Sequence, residues 1–221
     1  MSTHHESELS QLKDQILTMA SLARQAVTSA VRALVDQDEA LATRVKQGDR
    51  ELNRLEIEVD DMAVVQLSKA PLARDLRFII VSMKLGHDLE RIGDEAAGIA
   101  KQALKLFAEP PLKPYVDIPR MAEMAVDMLN DSIQAFIAND TALARSVLRR
   151  DKDVNALHKQ LQRELITFML EAPPNITRCL ALLQIAKRIE RVADHATNIA
   201  EESVFLYEGR DIRHGGDTEQ R

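Results

Sequence analysis

The chain has 221 residues, and its formal net charge of −6 argues against a nucleic-acid-binding surface. Its single cysteine, Cys179, excludes an internal disulfide and suits a reducing cytoplasm. Aromatic residues make up 3% of the chain, which is typical of an all-α protein because strands draw on aromatic and β-branched residues. No apolar run approaches the roughly 18 residues of a membrane span, and the first residues lack the blocks of a secretion signal. We therefore expect a soluble, cytoplasmic helical protein.

Prolines and two short polar turns divide the chain into six predicted helices. Pro71, the prolines between 110 and 119 and the pair at 173–174 interrupt the helical pattern, and polar turns at 36–38 and 139–141 supply N-caps. Within each segment apolar side chains recur at steps of three and four. The predicted helices are 6–36, 39–69, 72–108, 119–138, 141–170 and 175–207.

The helices group as three plus three, which predicts an all-α fold made of a tandem repeat of two three-helix bundles. The predicted domains are residues 1–109 and 119–209. A proline-rich linker at 110–118 joins them, and a polar tail at 210–221 follows.

The polar residues of the first half recur in the second half. Residues 88–100 match residues 188–200 at an offset of 100, and the two preceding helices match at an offset of 102. Such a repeat indicates a duplicated structural unit, and the acids present in both copies are the best candidates for its chemistry. The matched polar pairs are Glu90 and Glu190, Asp94 and Asp194, Asp49 and Asp151, and Asn53 and Asn155.

The acids of the first half predict a metal site. Glu90 and Asp94 lie one helical turn apart, off the apolar seam and largely facing outward, and Glu56 and Asp60 have the same spacing on the preceding helix. If these two helices are antiparallel neighbours, the four carboxylates converge on a groove. Oxygen-only ligation suits hard cations such as Mg, Mn, Ca or iron.

The second half carries a weaker version of the same site. Glu190 and Asp194 are present, but His158 and Gln162 stand where the first half has Glu56 and Asp60. Histidine can still ligate a metal. Additional candidate ligands beside the two principal sets are Asp49, Asn53, Asp151 and His158.

Surface charge pairing is the alternative interpretation of these acids. Arg91 can pair with Asp94, and Arg191 with Asp194, at a spacing of three residues. His87 is expected on the helix surface beside Glu90.

Enzyme signatures are missing from the sequence, whereas one segment has the features of a docking patch. There is no ExxH spacing of the di-iron bundle proteins, no phosphate loop and no nucleophile elbow, so we predict no catalytic residues. The helix start at 70–77 presents Arg74 and Arg77, either as a partner-binding patch or as ordinary surface charges.

The chain resembles the PhoU family of bacterial regulators of phosphate uptake and phosphate-starvation signalling. The stretches that carry the resemblance are residues 48–56, 71–77, 88–94, 189–201 and 209–216, and the similarity covers almost the whole chain. It implies two three-helix bundles, often a homodimer, and metal ions held on the bundle surface by pairs of E/DxxxD motifs. Those motifs map onto Glu56, Asp60, Glu90, Asp94, Glu190 and Asp194.

By this resemblance the protein is a negative regulator rather than an enzyme. It would be a cytoplasmic, metal-binding helical adaptor between the ATPase subunit of a phosphate ABC importer and a sensor histidine kinase, with peripheral membrane association through its partners. The expected cofactors are divalent or trivalent ions such as Mg, Mn, Fe or Zn. Two alternatives are a metal-dependent hydrolase and a metal-free helical scaffold of another phosphate transporter.

Overall fold

The computed structural model describes residues 2–69, 72–210 and 212, and for residues 2–6 and 49 it describes the backbone alone. The predicted all-α fold is confirmed. Six α-helices, with a 3₁₀ turn at Pro173–Asn175, make up the regular structure of the described residues. The helices are α1 (Ser2–Asp36), α2 (Glu39–Leu67), α3 (Ala73–Leu106), α4 (Asp117–Ala138), α5 (Thr141–Glu171) and α6 (Ile176–Glu208). None of them is long and apolar enough, within the described ranges, to cross a membrane.

Equivalent side-chain caps begin the second helix of each repeat. The Asp38 carboxylate accepts a hydrogen bond from Leu41 N at 2.8 Å, and the Asp140 carboxylate accepts one from Leu143 N at 2.9 Å. Each carboxylate satisfies a backbone donor that the first helical turn leaves unpaired. These turns therefore fix where α2 and α5 begin.

The two helices that carry the predicted acidic motifs lie at the centre of the molecule. Helix α3 packs against α1 and α2, helix α6 packs against α4 and α5, and α3 and α6 pack against each other. Their apolar stripes are fully buried, including Leu89 and Ile92 in α3 and Ile189 and Val192 in α6. Because these stripes fix the rotation of each helix, they also decide where the neighbouring acids point.

A set of partly buried polar pairs joins the two repeats. The Asp88 carboxylate lies 2.8 Å from His195 Nδ1, and the Glu95 carboxylate accepts hydrogen bonds from Arg188 at 2.7 Å and Arg191 at 3.3 Å. Position 88 thus meets 195 while position 95 meets 188. Helices α3 and α6 therefore run antiparallel across an approximate two-fold axis that relates the repeats.

Gly98 makes room for one of these pairs. A methyl group at its Cα would lie 2.1 Å from Arg188 Nη1, on the path that the guanidinium takes to Glu95. A closely approaching side chain is a common reason for glycine inside a helix.

Candidate metal centre

Helices α2 and α3 bring three potential ligands together in the first repeat. Glu56, His87 and Glu90 each offer one ligand atom, and these three atoms lie within 4.8 Å of one another. Among the described residues, this is the one group of three or more His, Cys, Asp or Glu side chains that lie so close together. His87 Nδ1 lies 3.0 Å from Glu56 Oε1. His87 and Glu90 are three residues apart on α3, so both point towards α2.

Glu90 is less exposed than the sequence predicts. Its side chain exposes 12% of its surface, and that of Asp94 exposes 37%. The reason is that α2 covers the α3 face on which Glu90 lies. The prediction that both acids face largely outward is therefore wrong for Glu90.

Burial and mutual repulsion raise the pKa of carboxyl groups in this cluster. Burial is the main cause of the raised pKa of Glu90, and the negative charges of Asp94 and Glu56 add to it. The pKa of Asp60 is raised by burial, then by Glu56 and Asp61. A cation placed among these groups would relieve the repulsion, because an opposite charge favours the ionised form.

The cluster opens onto a polar cleft between the repeats. The cleft has a volume of about 560 Å³ and is bordered by α2, α3 and α6. That volume leaves space for hydrated ions or for a partner's side chain beside the cluster. The lining residues are Glu56, Asp60, Met83, Lys84, His87, Asp88, Asn198, Glu201 and Glu202.

Arg91 is the basic residue next to the first-repeat acids. Its Nε lies 3.7 Å from Glu90 Oε2, and its Nη1 lies 3.5 Å from Asp94 Oδ2. The guanidinium is half exposed and both distances exceed those of a good charge-assisted hydrogen bond. Arg91 therefore neutralises these carboxylates only in part.

The second repeat brings Asp151 near Glu190 and Asp194 without forming an equally tight group. Burial is the main cause of the raised pKa of Asp151, and Glu190 adds to it; burial likewise raises the pKa of Asp194, with Glu190 and then Asp151 adding to it. Asn155 Nδ2 donates to Asp151 Oδ2 at 2.6 Å. Asp151 Oδ1 is buried and has no hydrogen-bond donor within the described part of the chain.

His158 and Lys187 complete the second cluster. Burial lowers the pKa of His158, while the negative charge of Glu190 opposes that shift. The Lys187 ammonium donates a hydrogen bond to Glu190 Oε2. This cluster therefore already contains a cation of its own.

Among the other candidate ligands, Asn53 is exposed on α2 and the Asp49 side chain lies outside the described residues. Arg74 is exposed at the start of α3, which fits both a docking patch and an ordinary surface charge. Arg77 is partly buried, and its Nη1 approaches the α6 C-cap, 3.2 Å from where a Cβ of Gly209 would lie. Its Nε is buried without an acceptor among the residues that the structure describes. Arg77 thus packs against the chain as well as facing solvent.

Sequence reasoning missed His87 as a member of the first cluster. The signal was available as the three-residue spacing between His87 and Glu90, which puts both on one helix face. Their approach to Glu56 depends on how α2 and α3 pack, and the sequence alone does not fix that.

The residues present in the first repeat fit a metal ion. Two carboxylates and an imidazole converge at ligand spacing, and burial followed by the negative charges of Asp94 and Glu56 raises the pKa of Glu90. An imidazole ligand favours Mn, Fe, Zn or related ions over Mg and Ca, which prefer oxygen ligands alone.

Comparisons by sequence and by structure both match this chain to PhoU proteins. A family model, the PhoU domain, matches residues 16–103 and again residues 118–203. The phosphate-specific transport system accessory protein PhoU homolog of Aquifex aeolicus (strain VF5) is 43% identical, over 94% of this chain and 94% of its own. The accessory protein PhoU of Serratia marcescens is 36% identical over 98% of this chain and 90% of its own.

Two solved structures share the fold over nearly their whole length. The crystal structure of PhoU from Pseudomonas aeruginosa superposes with a TM-score of 0.90 at 37% identity, covering 93% of this chain and 99% of that one. The phosphate transport system regulatory protein PhoU from Streptococcus pneumoniae gives a TM-score of 0.86 at 29% identity, covering 94% and 98%. With two matched repeats and near-complete coverage, this chain belongs to the PhoU domain family.

Proposed function

We propose that this protein is a cytoplasmic regulator of phosphate uptake and phosphate-starvation signalling that works as a metal-loaded adaptor. It would connect the ATPase subunit of a phosphate ABC importer to a sensor histidine kinase and hold the starvation response off when phosphate is plentiful. The observation that carries the proposal is the group formed by Glu56, His87 and Glu90 at the edge of an open cleft, in a chain of this family.

The family supports the role of an accessory protein. Its relatives in Aquifex aeolicus and Serratia marcescens are accessory proteins of a phosphate-specific transport system, and the Streptococcus pneumoniae protein is a regulatory protein of such a system. Members of the PhoU family are accessory and regulatory proteins rather than enzymes, and this chain is not an enzyme.

Metal loading would change what the cleft can bind. Without a cation, the carboxylates of Glu56, Asp60, Glu90 and Asp94 repel one another and any acidic partner. A bound divalent or trivalent ion (Mg, Mn, Fe or Zn) would offset much of the local negative charge and offer open coordination positions to a partner's carboxylate or phosphate oxygens. Glu190 and Asp194 are the corresponding ligands proposed for the second repeat.

The start of α3 is the surface we assign to partner docking. Arg74 is exposed in this segment, as are the apolar side chains of Leu72, Leu76 and Ile80. Exposed apolar residues grouped with a basic side chain are typical of protein interfaces. Arg77, in the same segment, is partly buried and packs towards Gly209 at the end of α6.

A homodimer is part of the proposal, since exposed apolar positions recur on the second repeat at Ile166, Ile176 and Leu180. The protein would reach the membrane through its partners.

The test is binding of the purified importer ATPase subunit and of the kinase's cytoplasmic region, measured with and without added Mn²⁺. The wild type should bind more tightly with metal. A Glu56→Gln, Glu90→Gln variant should lose that dependence because it keeps the side-chain shapes but removes two charges. Equal affinity in every arm would favour the metal-free scaffold, and Arg74→Ala should weaken binding whether metal is present or not.

A further inference from the structure

The two repeats are not equivalent where their acidic clusters lie. At the offsets of 100 and 102 residues, Glu90 and Asp94 of the first cluster align with Glu190 and Asp194 of the second, but three other members of the first cluster differ in charge from their counterparts. At these positions the first repeat has two carboxylates and an imidazole, and the second has an imidazole, an amide and an ammonium. The differing pairs are Glu56 and His158, Asp60 and Gln162, and His87 and Lys187.

Lys187 is engaged with the acid that both repeats share. Its ammonium donates to Glu190 Oε2, and the Glu190 side chain is 13% exposed while that of Lys187 is 46% exposed. The positive charge of Lys187 also acts on Asp194, where it partly offsets the repulsion from Glu190 and Asp151. The ammonium therefore offsets part of the negative charge of the second cluster from its solvent side.

The first cluster has no cation in the same position. His87 stands at the position that corresponds to Lys187, and its Nδ1 lies 3.0 Å from Glu56 Oε1. Unlike an ammonium, a neutral imidazole can ligate a metal ion. Arg91 remains 3.5 to 3.7 Å from Asp94 and Glu90. In the second repeat the corresponding Arg191 turns to Glu95 across the repeat interface.

We propose that Lys187 is a built-in competitor for metal, so that the two repeats bind metal unequally. The first repeat takes a metal ion directly, with His87 as its nitrogen ligand. The second repeat accepts one only when the Lys187 ammonium leaves Glu190, after which Asp151, Glu190 and Asp194 are available. This inference rests on the proposed metal binding and adds an order of loading to it.

The experiment is a calorimetric titration of the full chain with Mn²⁺ at neutral pH. Wild type should show one tighter and one weaker class of site. Lys187→Met, which keeps the aliphatic stem, should tighten the weaker class about tenfold, as expected for removing a monocation a few ångströms from a divalent ion in a water-like medium. His87→Lys, the reverse change in the first repeat, should weaken the tighter class.

Matched variants assign the classes and control for charge. Glu90→Gln should remove the tighter class and Asp194→Asn the weaker one. Lys159→Met is the control for removing a lysine charge near the second cluster. Like Lys187, Lys159 acts electrostatically on His158. The hydrogen bond to Glu190, however, is donated by Lys187. Lys159→Met should leave both classes unchanged within about twofold, since an exposed charge that makes no such contact is largely screened.

The outcomes separate this inference from the proposed function. If the first repeat binds Mn²⁺ and Lys187→Met leaves the weaker class unchanged, the inference is wrong and the metal-loaded adaptor stands. If Mn²⁺ binds to neither repeat in any variant, both fail. If circular dichroism shows that Lys187→Met has lost helicity, the test is repeated with Lys187→Gln, which also removes the charge.

Discussion

Replacing Gly98 by alanine is expected to destabilise the protein, although the same change normally stabilises a helix. Alanine in place of glycine in a helix interior contributes about 1 kcal/mol. Here the new methyl group would lie 2.1 Å from Arg188 Nη1, so the guanidinium must move away from Glu95. The displacement itself is cheap because the arginine side chain is flexible, but the hydrogen bond at 2.7 Å is lost.

The loss outweighs the gain in helix propensity. A hydrogen bond to a charged group contributes about 1.5 to 3 kcal/mol. Glu95 is buried, with 9% of its surface exposed, so losing a hydrogen bond there is costly. Arg191 keeps its contact with the same carboxylate, which limits the loss. We therefore take a value near the middle of the range, about 2 kcal/mol. Gly98→Ala should therefore lower the free energy of unfolding by about 1 kcal/mol.

Gly48→Ala is the matched control, because Gly48 lies in α2 with nothing within 4 Å of its added methyl group. It should raise the free energy of unfolding by about 1 kcal/mol. The assay is urea unfolding followed by circular dichroism at fixed pH without metal. Equal stabilisation by both substitutions would refute the account of how Arg188 joins the repeats.

Three further predictions follow from single contacts. Asp140→Ala should lower the free energy of unfolding by about 1 kcal/mol in the same assay, because Leu143 N loses its cap, and no change would contradict that role. Tyr207→Phe should cost about 1 kcal/mol, since the hydroxyl donates to Phe136 O at 2.5 Å; a variant as stable as wild type would mean that this bond contributes nothing. Glu90→Gln should be more stable than wild type at pH 7 without metal. The raised pKa makes ionised Glu90 destabilising, so the advantage should shrink as the pH falls towards 4.5 in unfolding curves, whereas an advantage independent of pH would exclude charge as its cause.

The helices could be predicted from the sequence because their ends are chemically marked. The capping carboxylates Asp38 and Asp140 begin α2 and α5 at the predicted residues. The ends of α3 and α4 near the linker prolines differ from prediction by about two residues, which is usual where helix ends fray.

The acids of the candidate site could also be predicted, whereas their partners could not. Glu90 and Asp94 are four residues apart on a helix whose apolar stripe is evident, so local periodicity places them. The approach of His87 to Glu56, and that of Arg188 to Glu95, depend on how helices far apart in sequence cross. Those crossings result from side-chain packing along α2, α3 and α6, which periodicity alone does not specify.

The metal content of the purified protein tests the central claim most directly. The full chain, prepared without a histidine tag and incubated with Mn, Fe, Zn and Mg before desalting, would be measured by elemental analysis beside the Glu56→Gln, Glu90→Gln variant. The account predicts at least one ion for each wild-type chain and its loss in the variant, with helicity unchanged. A wild type that retains no metal, or a variant that retains as much as wild type, would contradict it.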